Sequence, residues 1–304
     1  MNVRLWIASS MLLTALACTS SGSSDAGDAT AAGGRGHKDA GGKGSPDAGD
    51  AGAQNGVCSG SYDLVGTADI KAVADCMTVT GNLYVTGKLK TLSLPLLTRV
   101  GGGIYINNNS ALSVVDLSAL EAVDGYLQVN SNAQLTSLSL PALATLGGGI
   151  YVSRNDALTE VDLPKLEGVD GYLQISGDPE LSALNLPLLG MVGGDVIVGN
   201  IGALTSLDFP SLTTIGRSLG VASNPLLTSL SCAALATVGG LLQVSDNATL
   251  ATLDLSSLEA VGIGLAVYSN AMLPTCRAQA LVDQLIGPVG ETTITGNDDA
   301  GTCP

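Results

Sequence analysis

The chain has 304 residues, a formal net charge of −15, 40 glycines, one histidine, one tryptophan and one phenylalanine. This acidic balance lacks the basic footprint that neutralises phosphate, which excludes nucleic-acid binding, and it argues equally against adsorption to anionic lipid through a basic face. What remains is rich in leucine, valine, glycine, serine and asparagine, the vocabulary of stacked strands and tight turns.

Residues 1–18, MNVRLWIASSMLLTALAC, have an early cation at Arg4, then an apolar run and a small-residue cleavage site. That run is too short to span a bilayer comfortably. Ala15-Leu16-Ala17 reads as a site for ordinary signal peptidase, whereas Cys18 at the first mature position resembles a bacterial lipobox, in which the thiol is acylated. The usual lipobox has leucine three places before the cysteine, where this chain has Ala15. The reading adopted is a lipoprotein-type signal peptide with lipidated Cys18, with simple secretion as the alternative; both export the mature chain, and the first places it in the bacterial cell envelope, at the outer membrane or cell surface. Residues 19–56 contain no large apolar side chain and are expected to form a disordered Gly/Ser/Asp/Ala tether. The only histidine, His37, falls in this tether, which removes the most common general base from the folded part.

From Leu89 onward a repeat governs the sequence. Leucines 89, 112, 135, 158, 181, 204, 227, 250 and 273 fall in one uninterrupted frame, around the template L-T-x-L-x-L-P-x-L-x-x-V-G-G-x-L-x-V-x-x-N-x-x. In the unit beginning at Leu135, Leu138 and Leu140 flank Ser139, and Ile150 and Val152 flank Tyr151, so two short runs alternate as half-buried strands do. Leu143 and Leu146 lie between them and point inward. No stretch of the unit has the length or pattern of a helix. Two short strands and three corners per repeat describe one coil of a parallel β-solenoid, each strand pairing with its counterpart in the next coil. Roughly ten coils at about 4.7 Å per rung would stack to roughly 45 Å. The corner column Asn109, Asn132, Asn155, Asp178, Ile201, Asn224, Asn247, Asn270 is expected to stack as an amide ladder. The glycine pairs at 101–102, 147–148, 193–194 and 239–240 are expected to need positive φ.

The expected organisation of residues 57–304 is an N-terminal cap over 57–88, eight coils over 89–272 and a C-terminal cap over 273–304. Each cap should carry a short helix, one capped by Thr67 with Ile70, Val73 and Ala74 on a face, the other capped by Thr275 with Ala278, Leu281, Val282 and Leu285 as its stripe. Cys58 and Cys76 bracket the first cap and Cys276 and Cys303 the second, which predicts one disulfide in each, in keeping with an oxidising compartment. Cys232 takes the template place of inward Leu140 and Leu186 and reads as a buried apolar substitute.

The spacing of Cys58 and Cys76, the segment GNLYVTG and the coils that follow resemble the receptor L-domain, a leucine-rich-repeat-like module of growth-factor receptors, fungal cell-wall proteins and bacterial surface lipoproteins. The resemblance covers residues 57–304 and implies a right-handed β-helix with an extracellular binding or adhesion role. The coils here are more numerous and more uniform than in that module, and neither the receptors' cysteine-rich modules nor their kinase is present, so fold transfers and ligand does not.

Parallel β-helices also include polysaccharide lyases, whose sites need clustered carboxylates with a lysine or arginine base. The outward residues of the first strand are Ser93, Asp116, Ser139, Asp162, Asn185, Asp208, Ser231 and Asp254. Acidic groups on every second coil stand about 9–10 Å apart, too far for one metal ion or a carboxylate dyad. Arg154, Lys165 and Arg217, the cations of the central coils, share no template position. Asn297-Asp298-Asp299 and Asp246-Asn247 offer oxygen ligands without the spacing of a known calcium loop. The reading is therefore of a protein that is not an enzyme, with no catalytic residues, no cofactor and no metal.

The tyrosines supply the candidate site. Tyr105, Gln128, Tyr151 and Gln174 are the outward centres of successive second strands, Tyr126 and Tyr172 precede the alternate ones, and Tyr84 lies in the matching strand of the N-terminal cap. Two readings stand. Cross-strand aromatic packing, together with an internal duplication visible as GGGIY and VDGYLQ each recurring, accounts for the pattern structurally. Alternatively, Tyr84, Tyr105, Tyr126, Tyr151 and Tyr172 with Gln128 and Gln174 form a strip for an extracellular glycan or protein ligand, tyrosine offering an apolar face with a hydroxyl. The expected function is thus a non-enzymatic cell-surface lipoprotein that presents a rigid solenoid for adhesion or recognition, touching the membrane through its lipid anchor only. An inert envelope spacer and a polysaccharide-active β-helix enzyme are the alternatives.

Overall fold

The computed structural model describes residues 55–303. The proposed signal peptide with Cys18, and the tether as far as residue 54, lie outside the described residues. From Val57 onward the chain winds as a parallel β-solenoid of about ten turns. One side is an 11-stranded sheet running from Tyr62–Leu64 to Glu291–Thr295, and a second is a 10-stranded sheet of two-residue strands from Val57–Cys58 to Ala260–Val261. The third side is interrupted into groups of two, three and three strands.

A central coil shows why. Its strands are Ser137–Ser139, Thr145–Leu146 and Ile150–Ser153, one more than the two alternating runs suggest. The middle strand is only two residues long, so it carries no alternation to read. Leu143 and Leu146 are both buried, as expected. Each coil turns seven apolar side chains inward; in this one they are Leu135, Leu138, Leu140, Leu143, Leu146, Ile150 and Val152, and together the coils form one continuous core. Burying each such side chain contributes roughly 1.5–3 kcal/mol relative to exposure. Phe209 and Cys232 take the place of Leu140 in their own coils, both fully buried, and burial pushes the Cys232 thiol up to about 12.

Pairing is in register at 23 residues through the body, as where Leu127 stands opposite Ile150. The first two coils advance by 21 residues, with Tyr62 opposite Leu83 and Leu83 opposite Ile104. The last advances by 27, because helix α2 (Thr275–Gln284) is inserted before the final strand. Both segments read as caps therefore contribute paired strands of their own.

The amide ladder forms. Asn132 donates its side-chain N–H to the carbonyl of Ile106 at 2.9 Å and to Asn155 Oδ1 at 3.1 Å, while its backbone N–H donates to the same Oδ1 at 3.0 Å. The pattern recurs through Asn224, Asn247 and Asn270 and ends on Asn297. Buried backbone groups that a corner would leave unpaired are thereby satisfied within the core. Beside it runs a second ladder that the sequence reading did not include: the hydroxyls of Ser113, Thr159, Ser182 and Thr228 each donate to a carbonyl of the preceding coil.

One corner expectation is corrected. None of the paired glycines at 101–102, 147–148, 193–194 or 239–240 has positive φ. They are small because neighbouring coils approach closely there: a Cβ on Gly147 would lie 2.5 Å from the carbonyl oxygen of Asp124, and one on Gly216 of the same column would collide with the carbonyl oxygen of Gly193. Positive φ belongs to the place just before the asparagine ladder, at Asn108, Ser131, Arg154, Gly177, Asn200, Ser223, Asp246 and Ser269. The helix caps differ as well. Helix α1 (Thr67–Ala72) has Gly66 at its N-cap, and Asp69 reaches back to accept the backbone N–H groups of Val65 and Gly66, so Thr67 is not the capping residue. Pro274 precedes α2, and the Thr275 hydroxyl donates to Asp299 instead of capping. Ala278 and Leu281 are buried and Val282 and Leu285 pack against the core, so the expected helical stripe is present. Disulfides join Cys58 to Cys76 and Cys276 to Cys303.

Candidate functional site

The outer face of the 11-stranded sheet is built from three columns, because every second residue of a strand points away from the core. In-register pairing places Tyr84, Tyr105, Gln128, Tyr151, Gln174 and Ile197 one above another in the central column. Two residues earlier in each coil, Gly103, Tyr126, Gly149, Tyr172 and Asp195 make a neighbouring column, joined by backbone bonds such as Ile104 N–H to the Tyr126 carbonyl. Asn107, Asn130, Ser153 and Ser176 make the third, in which Asn130 and Ser153 are recessed and buried. All the residues singled out from sequence therefore share one face.

The rings are arranged in two groups. Tyr84 and Tyr105 stack with centroids 5.1 Å apart and planes at 14°, so one face of each ring is covered by the other. The Tyr84 hydroxyl accepts from the Asn82 amide, whose oxygen in turn accepts the backbone N–H of Gly103. Burial raises the Tyr105 hydroxyl above the ordinary tyrosine range, and the neighbouring Tyr84 and Tyr126 add to the shift. Tyr126 and Tyr172 start two rungs apart, yet their centroids lie 5.8 Å from each other. They lean together over Gly149, where a Cβ would come within 3.2 Å of the Tyr172 ring. The alternation of glycine and tyrosine in this column is thus a packing requirement: a side chain at Gly149 would displace the ring. Tyr126 is 44 % exposed and Tyr172 37 %. Tyr151 lies on the rung between them, half-buried, with the amides of Gln128 and Gln174 one rung to either side.

The acidic residues of the first strands lie on another side. Ser93 donates to Asp116 at 3.0 Å, Ser139 to Asp162 at 3.2 Å, and the Asn185 amide to Asp162 at 2.6 Å. Asp116 is held below the ordinary carboxylate range by the Ser118 hydroxyl first, an effect that burial opposes next in size and that Ser93 and the Ser118 backbone N–H reinforce. Asp116 and Asp162 are each engaged by hydroxyl or amide donors of adjacent coils. The oxygen-rich segments near the C-terminus are likewise engaged: Asn297 closes the amide ladder, Asp298 accepts the Ala300 N–H, and Asp299 accepts from Thr275. No group of three or more His, Cys, Asp or Glu side chains placed to hold a metal ion occurs among the described residues.

Sequence reasoning found the face but not the ring geometry. Which tyrosines stack on each other and which pair across a glycine depends on side-chain lean, and the only signal for it was the glycine between Tyr126 and Tyr172. No family model matches this chain, and no solved structure matches it.

Proposed function

We propose that the protein is a non-enzymatic recognition or adhesion protein of the cell surface, exported and anchored through lipid on Cys18, whose receptor-L-domain-like solenoid presents the tyrosine face to a glycan or protein ligand. The observation that carries this reading is the face itself. Over the four rungs from Tyr105 to Gln174 its three columns hold tyrosine, glutamine, glycine, asparagine and serine, with no charged side chain, in a chain of net charge −15. Partly exposed tyrosines among uncharged hydrogen-bonding groups are the composition of a binding surface, where an apolar ring and a polar tip act together. Aromatic rings are also few in this protein, which has 7 tyrosines, one tryptophan and one phenylalanine, and the five tyrosines from Tyr84 to Tyr172 gather on this face without being among the buried core residues.

The Tyr84–Tyr105 stack favours a second reading, in which the rings stabilise an inert spacer. The double variant Tyr105→Ala/Tyr151→Ala separates the two. Recognition predicts that the folded variant loses retention on envelope or glycan ligands that hold the wild type, whereas unchanged retention alongside lowered stability identifies the spacer. For the anchor, radiolabelled fatty acid is expected to enter the wild type and not Cys18→Ala; a wild type that stays unlabelled overturns lipidation.

A further inference from the structure

The tyrosine face has a period, and the period selects a ligand. In the central column tyrosine and glutamine alternate strictly at Tyr105, Gln128, Tyr151 and Gln174; in the neighbouring column glycine and tyrosine alternate at Gly103, Tyr126, Gly149 and Tyr172. Each rung therefore carries one tyrosine, and its column switches from rung to rung. Equivalent backbone positions, those of Gln128 and Gln174 included, recur every second rung, about 9.5 Å along the stack, while the Tyr126 and Tyr172 rings lean together to 5.8 Å and form one platform between the two glutamines.

We infer that this face binds a neutral β-1,4-linked glycan lying along the solenoid axis, an inference that rests on the recognition reading above. A β-1,4-linked chain is a flat ribbon in which each pyranose is turned over relative to the last, so its chemical repeat is the disaccharide, whose length matches two rungs. Gln128 and Gln174 then meet the same hydroxyls on every second sugar, and the Tyr126–Tyr151–Tyr172 group underlies the sugar between them. An extended peptide repeats after two residues, about 6.7 Å, and falls out of step with the rungs within one repeat. Charge points the same way. No cation lies in the three columns over these rungs to pair with a uronate or sulfate, and the acidic balance of the chain repels anionic polymers. From Tyr84 to Gln174 the central column spans four rung intervals, about 19 Å, or two disaccharide repeats.

Calorimetric titration of the full chain with cello- and chito-oligosaccharides of two, four and six sugars tests this. Affinity is expected to rise from two sugars to four and to level off at six. Tyr151→Ala and Gln128→Ala/Gln174→Ala should each weaken the four-sugar ligand at least tenfold, while Thr145→Ala, on the two-residue-strand side, leaves it unchanged. Circular dichroism of each variant checks that it is folded. If neither six-sugar ligand binds, yet a protein or an anionic glycan is held by the wild type and lost in Tyr105→Ala/Tyr151→Ala, the β-1,4 assignment is overturned and recognition by this face stands. If the double variant loses no ligand that the wild type holds, both fail.

Discussion

Asp178 stands in the ladder where Asn132, Asn155, Asn224, Asn247 and Asn270 stand in other coils, and it is as fully buried as they are. Its Oδ1 accepts the backbone and amide N–H groups of Asn155, at 2.8 and 3.1 Å, but its Oδ2 has no partner. By the repeat of the ladder that oxygen takes the place of the amide nitrogen that donates to Ile106 from Asn132 and to Val129 from Asn155. A carboxylate cannot donate there, and a protonated carboxyl can. Burial, with a smaller contribution from the charge of Asp156, raises Asp178 from the ordinary 3.8 to about 6, against the lowering effect of the two bonds from Asn155. The folded state thus holds the proton more tightly than the unfolded chain. Stability contributed by this group is full below about pH 4, falls as pH rises through the interval up to about 6, and stays reduced above it. The loss corresponds to up to about 3 kcal/mol. Asp178→Asn is therefore expected to raise the urea midpoint at pH 7.5 and to leave it unchanged at pH 4; equal midpoints at pH 7.5 would show that the carboxylate is relieved in some other way.

At the level of the coil, stability comes from columns, and the columns differ in how well the sequence displays them. Repetition every 23 residues of leucine and asparagine made the inward faces and the ladder legible, because each column repeats one residue type with few exceptions. Two features stayed hidden for physical reasons. The two-residue strands are too short to alternate, and the left-handed place is filled by serine, arginine, asparagine, aspartate and glycine, so no single residue type announces it. The glycine corner misled for the opposite reason: glycine signals either positive φ or close approach, and here coil-to-coil distance is what requires it. The caps, which have no second copy within the chain, were read from cysteines and helical stripes; their disulfides and packing emerged, while the identity of the capping groups did not. Substitution distinguishes the two kinds of corner. Ser223→Gly relieves a left-handed serine and is expected to stabilise by about 0.5–1 kcal/mol. Gly216→Ala drives a Cβ into the Gly193 carbonyl and is expected to cost about 1–3 kcal/mol. Paired denaturation curves check both, and the same sign for the two variants would refute the assignment of the corners.

Across the whole solenoid, nearly every inward side chain serves stacking, so function has only the outer faces in which to reside. Of these, the side with the interrupted strands holds carboxylates, the side of two-residue strands holds threonine, alanine and glycine together with Arg99 and Met191, and the 11-stranded side holds all 7 tyrosines, five of them on successive rungs from Tyr84 to Tyr172. The candidate site was legible from sequence to the extent that a fixed period assigns residues to faces; the leaning of Tyr126 and Tyr172 over Gly149 had to be seen in three dimensions. The chain's acidity reinforces the contrast, since over four rungs the uncharged tyrosine strip lets an approaching neutral polymer displace water without burying a charge. The most direct measurement is hydroxyl-radical footprinting of the tyrosines with and without chitohexaose. The account predicts protection at Tyr126, Tyr151 and Tyr172, with Tyr62 and Tyr268 unchanged. Oxidation that is equal with and without the oligosaccharide at all three, or protection confined to Tyr62 or Tyr268, would contradict it.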